Sequence, residues 1–260
     1  MRIIAGCFSE VGNRESNQDS VYYSVKDGTG IFVVADGMGG HDGGEIASTM
    51  IIEEIERWTM GKVSHEAVQS GNTLRLKGNS QKGIDELSAE CRKLLIDINE
   101  DIYGRFKKEG MIGGSTVALL ILKDDRCCIY TVGDSRVYRL RDDNIKQLSV
   151  DDVWENLPEI KDSMTESEKK ADSRYGKLTQ AVGSDNMVEI RHYEDNVQKN
   201  DVFMLCSDGV YKVCTESELE SILKKKAFFG GIEKALRNLK ITVLKKGSRD
   251  NFSAVMCKVI

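Results

Sequence analysis

The chain has 260 residues, 37 Lys and Arg against 42 Asp and Glu, a formal charge of −5, and 40% hydrophobic residues. That length buries a sizeable core and suits one domain over 1–260, while a mildly acidic balance without a basic block longer than three residues gives a nucleic-acid footprint little support. No secretory leader and no apolar run near the ~20 residues of a membrane span is present, and seven cysteines without a CxxC pair fit reduced thiols, so a cytoplasmic protein is expected.

Residues 2–8, 21–25 and 31–35 read as short strands, the last two joined across Asp27-Gly28-Thr29-Gly30, a hairpin-type turn. Ala47, Ile51, Ile55 and Trp58 recur at helical spacing, and Ile84, Leu87, Cys91, Leu94, Ile98 and Ile102 predict a long second helix over 84–106. Between them, 61–83 lacks periodicity and reads as an exposed connection. Strands return at 115–122, 126–132 and 136–141 with tight polar turns, a meander. The charged stretch 150–177, with the lone Pro158, predicts a flap outside the core. MVEIRHYE and DVFMLCS resume β-structure, Thr215 with Glu218 forms a capping-box pattern, Ile232, Leu236, Leu239 and Val243 mark a further helix, and FSAVMCKV alternates as a last strand. Helices in consecutive pairs rather than alternating with strands argue for α+β layers, an antiparallel sheet covered by helices.

Four aspartates sit where a β-element meets a turn: Asp36 after IFVVA, Asp134 after IYTVG, Asp208 after FMLCS and Asp250 before FSAVMCKV. Each alone is an ordinary turn residue. Strands packed side by side would gather the four on one rim, where carboxylates repel unless protonated or joined by a cation. Oxygen donors suit hard Mg²⁺ or Mn²⁺, and zinc would want Cys and His clusters, whereas His41, His65 and His192 are scattered. Two such ions about 3.5 to 4 Å apart clamp a phosphoryl group during in-line displacement, which makes phosphate ester hydrolysis the natural reaction class. Arg14, near Asp19, offers a bidentate fork for the phosphate.

The blocks VGNRESNQDS, VVADGMGGHDGGEIAS, GGSTVALLIL, YTVGDSRVYRL, LTQAVG, MLCSDGV and SRDNFSAVMCKV together resemble, in order, the metal-dependent protein phosphatases of the protein phosphatase 2C type, in their compact bacterial form. The resemblance implies a four-layer α-β-β-α sandwich of two antiparallel sheets flanked by helix pairs, with two Mg²⁺ or Mn²⁺ ions in a cleft at its edge. By the same resemblance Asp36 bridges both ions, the Gly37 carbonyl binds the second, Asp208 and Asp250 hold the first, and Asp19 acts largely through water. Arg14 would bind the substrate phosphate, and Asp134 would join Asp208 at a weaker third site. A metal-bound water would then attack the phosphorus of a phosphoserine or phosphothreonine protein, with a serine/threonine kinase as counterpart and a monomer as the expected state.

Four positions depart from the family pattern. Gln18 stands where Glu is common, Met38 where eukaryotic members carry a histidine proposed as general acid, Asp152 where His is usual, and Gln180 where Arg is frequent. The last two are expected to bear on substrate choice through the flap. A phosphatase-like scaffold without catalysis and a small-molecule phosphatase on the same fold stand as the rival readings, though no matched metal-site aspartate is missing.

Overall fold

Long apolar runs such as IFVVA, VALLIL and VFMLC become inner strands, because a strand covered on both faces has no side to leave polar. The computed structural model describes residues 1–40, 42–61, 82–224 and 231–260. Its strands are β1 (Ile3–Glu10), β2 (Asp19–Lys26), β3 (Thr29–Met38), β4 (Gly114–Ser115), β5 (Val117–Lys123), β6 (Arg126–Val132), β7 (Arg136–Arg141), β8 (Asn144–Gln147), β9 (Arg191–Asn196), β10 (Val202–Cys206) and β11 (Phe252–Val259). The helices are α1 (Gly43–Thr59), α2 (Ile84–Glu109), α3 (Pro158–Lys161), α4 (Glu166–Ala171), α5 (Asp208–Tyr211), α6 (Glu216–Ile222) and α7 (Gly231–Lys245). One sheet runs β1-β11-β10-β7-β8 and the other β2-β3-β5-β6-β9, with β4 paired to β3, and all pairings are antiparallel.

Alternation along each inner strand divides the core into three seams. Phe32, Val34, Leu120 and Ile129 meet Val137, Phe203, Leu205 and Val255 between the sheets. On the opposite face of the second sheet, Ile31, Val33, Leu119 and Ile121 pack against Ile51 and Ile55 of α1 and Leu95 and Ile98 of α2. Tyr138, Met204 and Met256 of the first sheet pack against Leu219 of α6 and Leu236 and Leu239 of α7. The result is the α-β-β-α sandwich that the resemblance implies.

The β2–β3 turn is tighter than expected. Lys26 pairs with Thr29, and Asp27 and Gly28 both have positive φ (49° and 76°), the geometry of a two-residue primed turn. Asp142 and Asp143 repeat it (48° and 59°) and start β8, a four-residue edge strand too short and polar to register in the sequence. MVEIRHYE becomes regular strand from Arg191.

The flap segment is anchored at both ends. Asp151, Asp152, Val153 and Trp154 are buried at its start, and Val153 bridges Leu178 at its far end, so the segment is pinned to the body at both ends. Arg174 lies over the Trp154 ring, 4.3 Å from its centroid. Inside the segment, Thr165 and Glu168 form a capping box that opens α4, as Thr215 and Glu218 do for α6. The same tetrapeptide, TESE, supplies both caps.

Most of the predicted 61–83 connection, together with His41, His65, Lys225 and Lys226, lies outside the described residues. Its end does not fit an exposed connection: Lys82 is buried and paired with Glu90 at 2.6 Å. No helix among the described residues is long and apolar enough to cross a membrane.

Candidate active site

The β3 strand does not stop before Asp36, as the sequence suggests, but carries it two residues further. Asp36 pairs across the ladder with Asp19 of β2, and Gly37 with Ser115 of β4. Thr116 clamps this stretch, its Oγ1 accepting from the Asp36 N–H at 3.1 Å and its N–H donating to the Asp36 carbonyl at 2.8 Å. The Gly37 N–H donates to the Gln18 carbonyl at 3.0 Å. Gln18 thus positions the backbone beside Asp36, whatever its amide adds.

Asp208 opens α5 directly after the central strand β10, and its neighbour Ser207 donates to Asp19 Oδ2 at 2.7 Å. Lys212, one turn along from Asp208, forms an ion pair with it. Tyr211 donates to Asp134 Oδ2 at 2.8 Å, and Arg136 stacks on the Tyr211 ring at 3.6 Å while gripping Asp151. The turn that presents Asp134 is therefore locked to the element that presents Asp208.

Asp250 precedes β11, and Asn251 beside it holds the Arg14 loop through three bonds. Its Nδ2 donates to the carbonyls of Val11 (2.8 Å) and Ser16 (2.9 Å), and its Oδ1 accepts from the Gln18 N–H (2.9 Å). Gly12 has φ of 60°, and a Cβ there would meet the Asp250 carbonyl oxygen at 2.1 Å, so the loop closes on Asp250 only with glycine. Arg14 consequently reaches Asp250 Oδ2 at 2.8 Å, at the exposed rim.

Asp36, Asp134, Asp208, Asp250 and Arg14 all line one cleft of about 740 Å³, together with Gln18, Met38, Lys212 and the flap end at Lys177. Asp19 lies directly behind Asp36, buried, with Oδ1 lacking a hydrogen-bond partner. Burial first, then the charges of Asp19, Asp208, Asp134 and Asp250, hold the Asp36 carboxyl well above the usual carboxylate range. Burial likewise raises Asp19 to about 6, and shifts Asp134 and Asp208 upward.

This donor set fits hard divalent cations. It is all oxygen, it carries excess negative charge, and it leaves a buried carboxylate oxygen unsatisfied. The carboxylates ring the cleft rather than converge, since no three of them bring oxygens within 4.8 Å of one another among the described residues. Repulsion between them and the pull of Arg14 and Lys212 on Asp250 and Asp208 account for that spread.

Six of the residues singled out in the sequence therefore meet in one cleft and Asp19 adjoins it, while Lys212, Thr116 and Asn251 escaped that reading. Asn251 lies beside Asp250 in a quoted block, but counting carboxylates passed over it. Met38 is 36% exposed at the rim and offers no proton. Asp152 and Gln180 act together in place. The buried Asp152 carboxylate accepts from the Gly133 N–H at 2.9 Å, from Gln180 Nε2 at 2.8 Å and from Arg191 Nε at 2.5 Å. Its contact is with the turn before Asp134, not with the mouth of the cleft. Asp152→Ala should cost about 2 kcal/mol in urea unfolding, since it strands a buried N–H and the Arg191 charge, and Asp152→Asn should recover part of the loss.

Three of the cysteines behave as core. Cys91, Cys206 and Cys257 are fully covered and their thiols are pushed far up by burial, away from nucleophilic use.

Comparison with known proteins agrees with this geometry. The family model described as protein phosphatase 2C matches residues 9–246. Serine/threonine phosphatase stp of Listeria innocua is 30% identical over 217 residues, 82% of this chain and 79% of that protein. PstP of Mycobacterium tuberculosis is 26% identical over 247 residues, 95% of this chain and 43% of that protein. Among solved structures, the PstP catalytic domain in complex with two manganese ions superposes with a TM-score of 0.77 at 23% identity, covering 99% of this chain and 98% of that one. PppA of Pseudomonas aeruginosa gives 0.80 at 25%, covering 100% and 99%. The family-model match over residues 9–246 places this protein in the protein phosphatase 2C family.

Proposed function

We propose that the protein is a serine/threonine protein phosphatase that hydrolyses phosphoserine and phosphothreonine monoesters with two Mn²⁺ or Mg²⁺ ions. The observation that carries this reading is the cleft that faces Asp36, Asp134, Asp208 and Asp250 toward one another with Asp19 behind them. Asp36, the Gly37 carbonyl, Asp208 and Asp250, with Asp19 behind them, are the residues that would hold the two ions. Asp134 with Asp208 suits a weaker third. Bound there, hard cations neutralise phosphoryl charge and acidify water.

The protein's own groups do the rest. Arg14 sits at the exposed rim, where its guanidinium exchanges Asp250 for a substrate phosphate once that carboxylate is otherwise engaged. Lys212 adds a second cation facing the same space. Met38, in the slot proposed for a general acid, has no proton to give the leaving serine or threonine oxygen.

The homologous phosphatases named above support a phosphoprotein substrate, and a serine/threonine kinase is the counterpart such a substrate requires. Seven free cysteines support a reducing, cytoplasmic setting, and we take 1–260 as one catalytic domain acting as a monomer. Turnover of phosphothreonine peptides should exceed that of sugar phosphates at equal concentration; the reverse order would favour a small-molecule phosphatase. Arg14→Ala should raise KM for the peptide at least tenfold while kcat changes less, because the interaction is made with the ground-state phosphate as well.

A further inference from the structure

Away from the cleft, β6 and β9 bring a second set of donors together. Cys128 is the cross-strand partner of Glu194, and Tyr130 of His192, so all four side chains share the sheet face that α2 covers. Cys128 lies four residues before the end of β6 at Val132, about 13 Å by strand rise, and Asp134 follows in the turn beyond that end. The two sets of donors are therefore separate.

The geometry is specific. One ligand atom from each of Cys128, His192 and Glu194 lies within 4.8 Å of the other two, the sole such trio of His, Cys, Asp or Glu among the described residues. His192 Nε2 is 3.2 Å from Glu194 Oε1, near the separation of two ligands on one tetrahedral ion. Each of the three atoms is then within about 2.8 Å of a common point, against zinc bond lengths of about 2.0 to 2.3 Å, so closure takes less than about 1 Å. The imidazole plane is already fixed, stacked on Tyr130 at 4.6 Å and 15°. Tyr130 is itself anchored, its hydroxyl donating to the Ser88 carbonyl at 2.8 Å. The other carboxylate oxygen, Glu194 Oε2, accepts from Arg126 at 2.7 Å, and Arg126 is held by Asp85 at 2.8 Å. Supporting contacts of this kind orient metal ligands.

We propose that Cys128, His192 and Glu194 form a zinc site that clips the edge strand β9 to β6. A thiolate, an imidazole and a carboxylate are the mixture zinc accepts and that hard Mg²⁺ or Mn²⁺ does not, so the cleft and this site sort different metals. Binding forms a sulfur–zinc bond and releases the Cys128 thiol proton to solvent. The charges close: two negative ligands offset the dication, and Arg126 with Asp85 offset each other. Water would complete the fourth position on the side where His192 and Glu194 are both exposed. The clip also steadies Arg191, the first residue of β9, which holds Asp152.

Cobalt(II) titration of the full chain tests this, because a thiolate ligand gives an intense near-ultraviolet charge-transfer band that the all-oxygen cleft does not. With the cleft kept filled by excess Mn²⁺, the expected result is a band saturating at one equivalent per chain, bleached by added zinc, and kept in Cys7→Ser. His192→Ala and Cys128→Ser should lose it, or bind at least tenfold more weakly, while retaining Mn²⁺-dependent phosphate release. No band at millimolar cobalt, a band that survives Cys128→Ser, or a band that His192→Ala leaves at unchanged cobalt affinity, overturns the site. Because the band reports the thiolate alone, its absence would leave the reading of the cleft untouched.

Discussion

Asp36→Asn should lose at least about a thousandfold in turnover and yet, without metal, be harder to unfold than the wild type by about 1 to 3 kcal/mol at pH 7.5. Both effects come from one arrangement: a carboxylate facing Asp134, Asp208 and Asp250 with Asp19 at its back. Their mutual repulsion and the burial of Asp36 and Asp19 raise the folded-state values above the unfolded ones. A group shifted in that direction adds stability below its unfolded pKa and loses it as pH rises through the folded pKa. For Asp19 the window runs from about pH 4 to about pH 6, and Asp36 extends it upward. Metal-free wild-type protein should therefore lose stability on going from pH 4 to 7.5, and Asp36→Asn should lose less. Mn²⁺ at a hundredfold excess over its dissociation constant should restore about 2.7 kcal/mol per bound ion to the wild type alone. Urea unfolding in chelator and in Mn²⁺, at both pH values, reads all of this. An Asn variant less stable than the metal-free wild type would show that the carboxylates are not held against their repulsion.

Gly37→Ala should be among the most damaging of the small substitutions. An added Cβ would lie 2.2 Å from the Gly44 carbonyl oxygen, 2.5 Å from its carbon and 2.6 Å from the Gln18 carbonyl oxygen. All three are backbone atoms, so no side chain can swing away. Gly44 is bare for the same reason, its own Cβ falling 2.8 Å from the Gly37 carbon and the Met38 nitrogen. The strand carrying Asp36 and the first turn of α1 touch backbone to backbone, and a methyl group must part them. The expected cost is about 3 kcal/mol in urea unfolding. Where the protein still folds, the displaced Gly37 carbonyl should lower Mn²⁺ affinity and turnover at least about a hundredfold. Gly40 in the same glycine-rich stretch is the control, since nothing lies within 4 Å of its added Cβ. Equal effects from Gly37→Ala and Gly40→Ala would mean that close approach is not what this glycine provides.

These two positions also show how far the sequence reaches. Asp36 and Gly37 were legible as a pair because an apolar run followed by Asp and glycines has few uses, and because the ordered blocks resemble one family. The sequence placed them at a turn, whereas β3 continues to Met38 on partners that are distant in the chain, Asp19 and the short β4. Inner strands were found from their unbroken apolar runs, and β8 was missed because an exposed edge of four residues carries no such run. Asp152 was read as a flap residue because its partners Gly133 and Arg191 lie 19 and 39 positions away. Lys212 and Asn251 were invisible for another reason: one is a cation where acids were being counted, the other an amide whose three bonds all cross more than 200 residues of chain.

On the proposed reading, carboxylates around Asp36 hold the metals that make this cleft a phosphatase. Phosphate release from a phosphothreonine peptide, followed as Mn²⁺ is added to chelator-stripped protein, tests it most directly. Release should be absent without metal, rise to saturation with Mn²⁺, and stay at background in Asp36→Asn at every concentration. Release that is independent of metal, or that persists in Asp36→Asn, would contradict the account.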